Sequence, residues 1–366
     1  MLLASPLTAA AVLVLLAVIH LVRCLRSPLA RLPGPSISKY TSLRLKWHEI
    51  NATRTVYIHA LHRRYGPVVR VAPNEVAFTS WAAIKEIYCS GGSGYDKTEF
   101  YDMFTIYGRR SLHAYACDCV THHLFHPRGT DCLENENDEN MMHQVASDDS
   151  LQNRLISHYA PTLHRIFGSV LYLFAKPRET PLADTYVLET SQIHDTATFT
   201  LMSRLEEKSA ELEPIDMAAE CLDHMAAGID TTGDGLCFLL WELSQPRSLK
   251  VQEKLARELL ANPHAPLDQL PYLDAVVCEG LRCYPPIPMS LPRYVPEGGR
   301  MVDGHWLPEK TVASCQAFSV HRINDDMFPE PDAFQPERWL QLDGDADRRR
   351  LLFAFANGGR GCVGKQ

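Results

Sequence analysis

The chain has 366 residues, 46% hydrophobic and 22% charged, which is enough to bury a large core and too apolar for a disordered segment. A formal net charge of −8 leaves no basic footprint and excludes nucleic acid as a partner. Eleven scattered cysteines, an odd number, fit reduced thiols facing the cytosol better than a secreted disulfide framework.

Residues 2–22 carry no charged side chain, and about 21 residues at 1.5 Å each reach about 31 Å, close to the hydrocarbon thickness of a bilayer. Arg23, Arg26 and Arg31 follow, so the positive-inside rule puts the body of the chain on the cytosolic side. Residues 1–23 are therefore expected to be a single-pass anchor in the endoplasmic reticulum membrane, with lipid as a partner and the body of the chain, 46–366, cytosolic. A cleavable signal peptide is the competing reading, but no positive n-region precedes the run. Residues 24–45 read as a linker stiffened by Pro33 and Pro35, and 46–366 as one large domain. Asn51 opens a glycosylation sequon that is idle in the cytosol.

Residues 52–65 read as a helix, 68–71 and 75–78 as short strands around Pro73 and Asn74, and Ser80 as the cap of a helix through Ile87. A loop rich in glycine and aromatics is expected over 91–108. Between 109 and 150, Cys117, Cys119, His122, His123, His126 and Cys132 precede an acidic run over 134–140. Those residue types can hold zinc, but their irregular spacing and flanks read as low-complexity loop. Beyond 151 helices dominate as far as the proline-rich stretch 285–296.

Met217, Cys221, Leu222 and Met225 give a helical period that runs from an Asp216 N-cap to Leu243. Inside it, Gly228 weakens the helix beside Asp230, Thr231 and Thr232. Two readings stay open: threonines that bond to the preceding turn, or a local opening in which Asp230 and Thr231 deliver protons through water. Glu279 and Arg282, three apart, share one face of a helix over 272–283 that Pro285 and Pro286 stop. Residues 302–306 read as a turn between short strands and 321–339 as a meander. The run Arg348, Arg349 and Arg350 either steers an acidic partner or is a solvated charge run. No dinucleotide or flavin fingerprint is present, so this chain cannot collect electrons from a nicotinamide by itself.

The densest pattern is Phe355, Gly358, Arg360, Cys362 and Gly364. A cysteine thiolate is a strong iron ligand when metal charge and backbone N–H groups hold it deprotonated. Gly358, Gly361 and Gly364 permit positive φ and close backbone approach to a flat ligand. The planar fork of Arg360 suits a carboxylate, and Phe355 would shield the sulfur. A buried structural cysteine in a glycine turn is the alternative.

This run resembles the haem-binding loop of the cytochrome P450 monooxygenases. Residues 227–232, with Asp230, Thr231 and Thr232, resemble the oxygen-activation motif of that family, Glu279 and Arg282 its E-x-x-R helix, and Pro336, Glu337, Arg338 and Trp339 its P-E-R-F/W segment, all in the family's order. Residues 285–299 and 332–339 look like the fungal specialised-metabolism type. The resemblance implies a mainly α fold with small β-sheets and haem b bound through Cys362 as axial iron ligand. It implies Phe355, Gly358 and Gly364 around the haem, Arg360 and Arg293 on its propionates, Thr231 and Asp230 delivering protons, and a buried structural network of Glu279, Arg282 and Arg338. It further implies residues 287–291 facing a lipophilic small-molecule substrate, and NADPH electrons supplied by a separate NADPH–cytochrome P450 reductase, with cytochrome b5 as a second donor. One atom of O₂ would enter the substrate, in secondary-metabolite biosynthesis.

The sequence departs from the family where a W-x-x-x-R helix is expected within 109–150. The connection from there to the central helix is short, and the helix that should follow Cys362 is missing before Gln366. The rival expectation is a catalytically inactive, truncated relative that binds haem weakly or not at all.

Overall fold

The computed structural model describes residues 6–89, 95–97, 110–146, 157–171, 181–193, 195–208 and 211–365. The loop expected over 91–108 lies outside them apart from 95–97. The chain forms two compact units, residues 1–101 with 253–366 and residues 102–252.

The first unit opens with helix α1, Pro6–Arg26, followed by α2, Leu43–Ile50, and α3, Arg54–Tyr65. Among the described residues no helix is long and apolar enough to cross a membrane. The expected single-pass anchor of the endoplasmic reticulum membrane, with lipid as its partner, is thereby overturned. The physical reason lies in the bounds of α1: it contains Arg23 and Arg26, and His20 donates from Nε2 to the Tyr40 carbonyl at 2.8 Å. Between Pro6 and His20 remain ~13 residues, or roughly 20 Å of helix, against about 30 Å of hydrocarbon.

Strands β1, Val68–Ala72, and β2, Glu75–Phe78, pair antiparallel around the expected turn at Pro73 and Asn74, and nearly all of their residues are buried. Ser80 caps helix α4, Trp81–Ile84, by accepting from the Ala83 N–H at 3.1 Å. A π-helical turn, Lys85–Cys89, continues it, and β3 is Asp96–Lys97.

The second unit is helical in its described residues: α5, Arg110–Phe125; α6, Glu136–Ala146; α7, Pro161–Leu171; α8, Pro181–Ser191; α9, Leu201–Glu206; and α10, Pro214–Leu243. The long α10 begins three residues earlier than the Asp216 cap predicts, with Glu213 at the cap position. Pro214 takes the first helical position, where its missing N–H costs nothing, and Asp216 accepts from the Glu213 N–H at 3.3 Å. Residues 110–125 and 136–146 are packed helices, which corrects the low-complexity-loop reading. Ala114, Cys117, Leu124 and Phe125 recur at helical spacing and bury against Met217, Cys221, Met225 and Ile229 of α10. Two α10 glycines allow the close approach: a Cβ on Gly228 would lie 2.7 Å from Val120, and one on Gly233 would lie 2.6 Å from the His113 ring.

After α11, Leu249–Ala261, the chain returns to the first unit with α12, Pro271–Cys283. Strands β4, Arg293–Tyr294, and β7, Val312–Cys315, complete a five-stranded sheet in the order β1-β2-β7-β4-β3. Strand β5, Arg300–Val302, and β6, His305–Leu307, form the hairpin expected around Asp303 and Gly304, both at positive φ. Helices α13, Ala317–Ile323, and α14, Asp345–Leu351, precede the cysteine loop. The core of this unit gathers Phe78, Ile84, Ala275, Val320, Phe328, Trp339 and Phe353.

Candidate functional site

The segment after α14 is held open by a short ladder of backbone bonds. The Ala356 N–H donates to the Phe353 carbonyl at 3.2 Å, Gly361 N–H to Gly358 at 2.9 Å, and Cys362 N–H to Phe355 at 2.9 Å. Closing that loop takes left-handed backbone at Ala356, φ 53, and at Gly358, φ 72. Phe355, Gly358 and Cys362 thus meet along one cavity of about 490 Å³, with Asn357, Gly361 and Val363 in its wall. Arg360 is exposed beside them. Phe355 is half-buried and Cys362 exposed, so the thiol opens onto the cavity and is not sheltered by the ring as expected. A Cβ on Gly364 would stand 3.7 Å from the sulfur and narrow that opening.

The residues present suit a flat metal macrocycle. A thiol faces a concavity walled by glycine backbone, and Asn357 Nδ2 is a buried donor without a hydrogen-bond partner among the described residues. Arg293, on β4, is buried and donates to the Pro292 carbonyl at 3.0 Å, with its guanidinium 5.4 Å from the Tyr88 ring centre. That ring also meets Phe353 at 5.0 Å. The Tyr88 hydroxyl donates to the Leu291 carbonyl at 2.6 Å and accepts from the Cys315 N–H at 2.9 Å. Tyr88 therefore connects Arg293 to the root of the cysteine loop.

Behind the loop lies the charged network. The fully buried Glu279 carboxylate accepts from Arg282 Nε at 2.8 Å and Nη2 at 2.9 Å, Arg338 Nε at 3.1 Å, Trp339 Nε1 at 2.9 Å and the Gln335 N–H at 2.8 Å. Arg282 spends its remaining donors on the carbonyls of Pro331 at 2.6 Å, Ala333 at 3.0 Å and His321 at 3.2 Å. One carboxylate thus fixes α12 against the Pro336–Leu340 turn. His321 joins this network to the loop: Nδ1 donates to the Arg282 carbonyl at 3.0 Å, and Nε2 accepts from the Phe353 N–H at 2.8 Å. Burial, with the positive charges of Arg282 and Arg322, lowers its pKa to about 3, so the ring is neutral and its two roles are fixed.

In the second unit, Asp230 and Thr231 sit on adjacent positions of α10 and point apart. Thr231 Oγ1 donates to the Ala227 carbonyl one turn back, at 2.7 Å. Asp230 is buried against α5, where His113 Nε2 lies 3.9 Å from its Oδ1 and 3.4 Å from Asp234 Oδ1. Burial and the neighbouring Asp234 carboxylate raise the Asp230 pKa to about 7.

The family model described as Cytochrome P450 matches residues 109–366. The chain belongs to the cytochrome P450 family. Among curated proteins, this P450 is 27% identical to cytochrome P450 monooxygenase orf2 of Aspergillus niger, over 93% of its own length and 83% of that protein. It is 27% identical to stcB of Emericella nidulans, over 92% and 78%, and 25% identical to cpaH of Aspergillus oryzae, over 92% and 79%. All three are cytochrome P450 monooxygenases, and the chain is an oxygenase of this class.

The family match includes 109–150, the stretch whose composition looked foreign to a P450. Among the described residues no group of histidine, cysteine and acidic side chains is placed to hold a metal ion. Cys117 instead approaches Thr130 Oγ1 at 3.7 Å, and Thr130 donates to Asp118 at 2.8 Å, inside the helical core. The arginine run is not a bare positive patch either. Arg348 is buried on the Gln341 carbonyl, Arg349 pairs with Asp274 at 3.0 Å and Asp345 at 3.1 Å, and Arg350 with Asp347 at 2.8 Å. Sequence reasoning missed His113, Tyr88 and His321. A polar ring at an apolar position of α5's period was the available signal for His113.

Proposed function

We propose that this P450 is a haem-thiolate monooxygenase that hydroxylates or otherwise oxygenates a lipophilic small molecule in fungal secondary metabolism. The observation that carries this reading is the exposed Cys362 thiol, opening onto a glycine-walled cavity of about 490 Å³. Haem b, when bound, supplies a redox-active iron that activates O₂. Cys362 would hold its iron through the sulfur. Phe355, Gly358 and Gly364 shape the loop around it, while Arg360 and Arg293 bind its two carboxylates as planar, permanently charged forks.

Asp230 and Thr231 hold and pass protons on the oxygen side. Asp230 suits this task because its raised pKa keeps it partly protonated near neutrality. Thr231 would first have to release the Ala227 carbonyl. One atom of O₂ enters the substrate and the other leaves as water, which consumes two protons and two electrons. The electrons come from NADPH through a separate NADPH–cytochrome P450 reductase or cytochrome b5. The apolar Ile287, Met289 and Leu291 favour a lipophilic substrate, and the fungal monooxygenase relatives support the metabolic setting.

The test is spectral first and then chemical. Purified protein loaded with hemin, reduced and exposed to carbon monoxide, gives the long-wavelength Soret band of thiolate ligation, and Cys362→Ala loses it. With reductase, NADPH and labelled O₂, a fungal lipophilic extract acquires label. A colourless protein, or a band that survives Cys362→Ala, overturns the assignment.

A further inference from the structure

His113 is fully buried, yet neither of its ring nitrogens has a hydrogen-bond partner among the described residues. Burying such a group without a partner is destabilising, so an apolar residue of the same shape would be the more stable choice for a purely structural position. The ring is nonetheless given a seat. Gly233 leaves the space that any larger residue would fill, since its Cβ would lie 2.6 Å from His113 Cδ2. That seat puts Nε2 3.4 Å from Asp234 and 3.9 Å from Asp230. The two carboxylates differ in their access to water: the Asp230 side chain is 3% exposed and Asp234 42%.

We propose that His113 is a relay residue, passing protons from the solvent-facing Asp234 to the buried Asp230. In this relay Nδ1 keeps its hydrogen while Nε2, which lies within 4 Å of both acids, takes up and releases the moving proton. Protonated Asp234 gives its proton to Nε2. The resulting imidazolium, flanked by two carboxylates, gives one to Asp230, and Asp234 reloads from water. Each transfer exchanges one O–H and one N–H bond, no electrons move, and the ring need not flip. Separations of 3.4 and 3.9 Å are long for resting hydrogen bonds, but small side-chain shifts shorten them, as is usual for catalytic contacts before substrate is bound. The raised pKa of Asp230 suits a receiver that must be reprotonated near neutral pH. The relay rests on the reading that Asp230 feeds protons to the oxygen chemistry.

His113→Gln, Asp234→Asn and Asp230→Asn, each loaded with haem, are compared with the unaltered protein in NADPH oxidation by a purified fungal reductase, without substrate. The quantity read is hydrogen peroxide released per NADPH, because oxygen that is not reprotonated in time escapes as peroxide. All three variants are expected to keep the thiolate carbon monoxide band and to form water about tenfold more slowly, with peroxide per NADPH rising. A second readout needs no turnover. In nitrogen-labelled histidine spectra of the reduced carbon monoxide form, the ring signal lost in His113→Gln should shift in both Asp234→Asn and Asp230→Asn. If Asp230→Asn raises peroxide while the other two do not, the relay is overturned and the role of Asp230 stands. If Asp230→Asn changes nothing, that role falls and the relay falls with it. Should His113→Gln fail to fold, Asp234→Asn decides, since its side chain is half exposed. Unaltered protein that takes up no haem overturns both.

Discussion

Cys362 and Asp230 carry opposite demands on their surroundings. The sulfur must be reachable, and its loop leaves it so; the carboxyl must be hard to ionise, and α5 buries it. The second condition has a consequence for stability. A carboxyl with pKa 3.8 when unfolded and about 7 when folded binds protons more tightly in the native state, so stability falls as pH rises from about 4 to 7. Asp230→Asn should remove that slope. Urea unfolding at pH 5 and pH 8 should find the variant gaining on the unaltered chain at the higher pH, on the order of 2–4 kcal/mol. The grouping of Phe355, Gly358 and Cys362 along one cavity was legible because the proposed metal thiolate needs several unusual features close together in sequence. His321 and Tyr88 were not, since each acts through partners on three separate segments that only the fold brings together.

Secondary-structure elements whose apolar residues keep a regular period were readable: the Arg54–Tyr65 helix, both strands of the first hairpin, and α12 with its Glu279 and Arg282. The Arg110–Phe125 helix escaped because its polar cysteines and histidines drew attention from the apolar positions between them. α12 is also where a single change should be felt most. Glu279→Ala leaves Arg282 and Arg338 buried without their shared counter-charge and strands the Trp339 N–H, at a cost of about 3–5 kcal/mol in denaturant unfolding. Glu279→Gln should recover part of that loss by keeping the acceptor oxygen. On α10, Gly233→Ala sets a helix-propensity gain of about 1 kcal/mol against the overpacking of His113, which typically costs about 1–3 kcal/mol. A lower Tm is expected, and an unchanged or higher Tm would mean that α5 moves aside at little cost.

At the scale of the whole molecule, the mainly helical plan with small sheets follows the motifs, while the reading of the amino terminus does not. An uncharged run long enough to span a bilayer on paper becomes a helix with two arginines inside it and a histidine bonded to the Tyr40 carbonyl. Residue counting misses this because helix bounds depend on what the chain meets afterwards. Haem that binds only the folded state should stabilise it by about 2.7 kcal/mol at a free concentration one hundred times Kd, and the melting temperature should rise with the logarithm of the haem concentration. Cys362→Ala should abolish most of the gain in a hemin titration followed by calorimetry.

Arg349 and Arg350 are both matched by acids of their own chain. Charges neutralised at contact distance project little field beyond a Debye length, about 10 Å in 0.1 M salt. Raising the ionic strength should therefore barely change any contribution of this face to the encounter with the proposed reductase. Whatever attraction speeds that meeting must come from cations elsewhere on the surface.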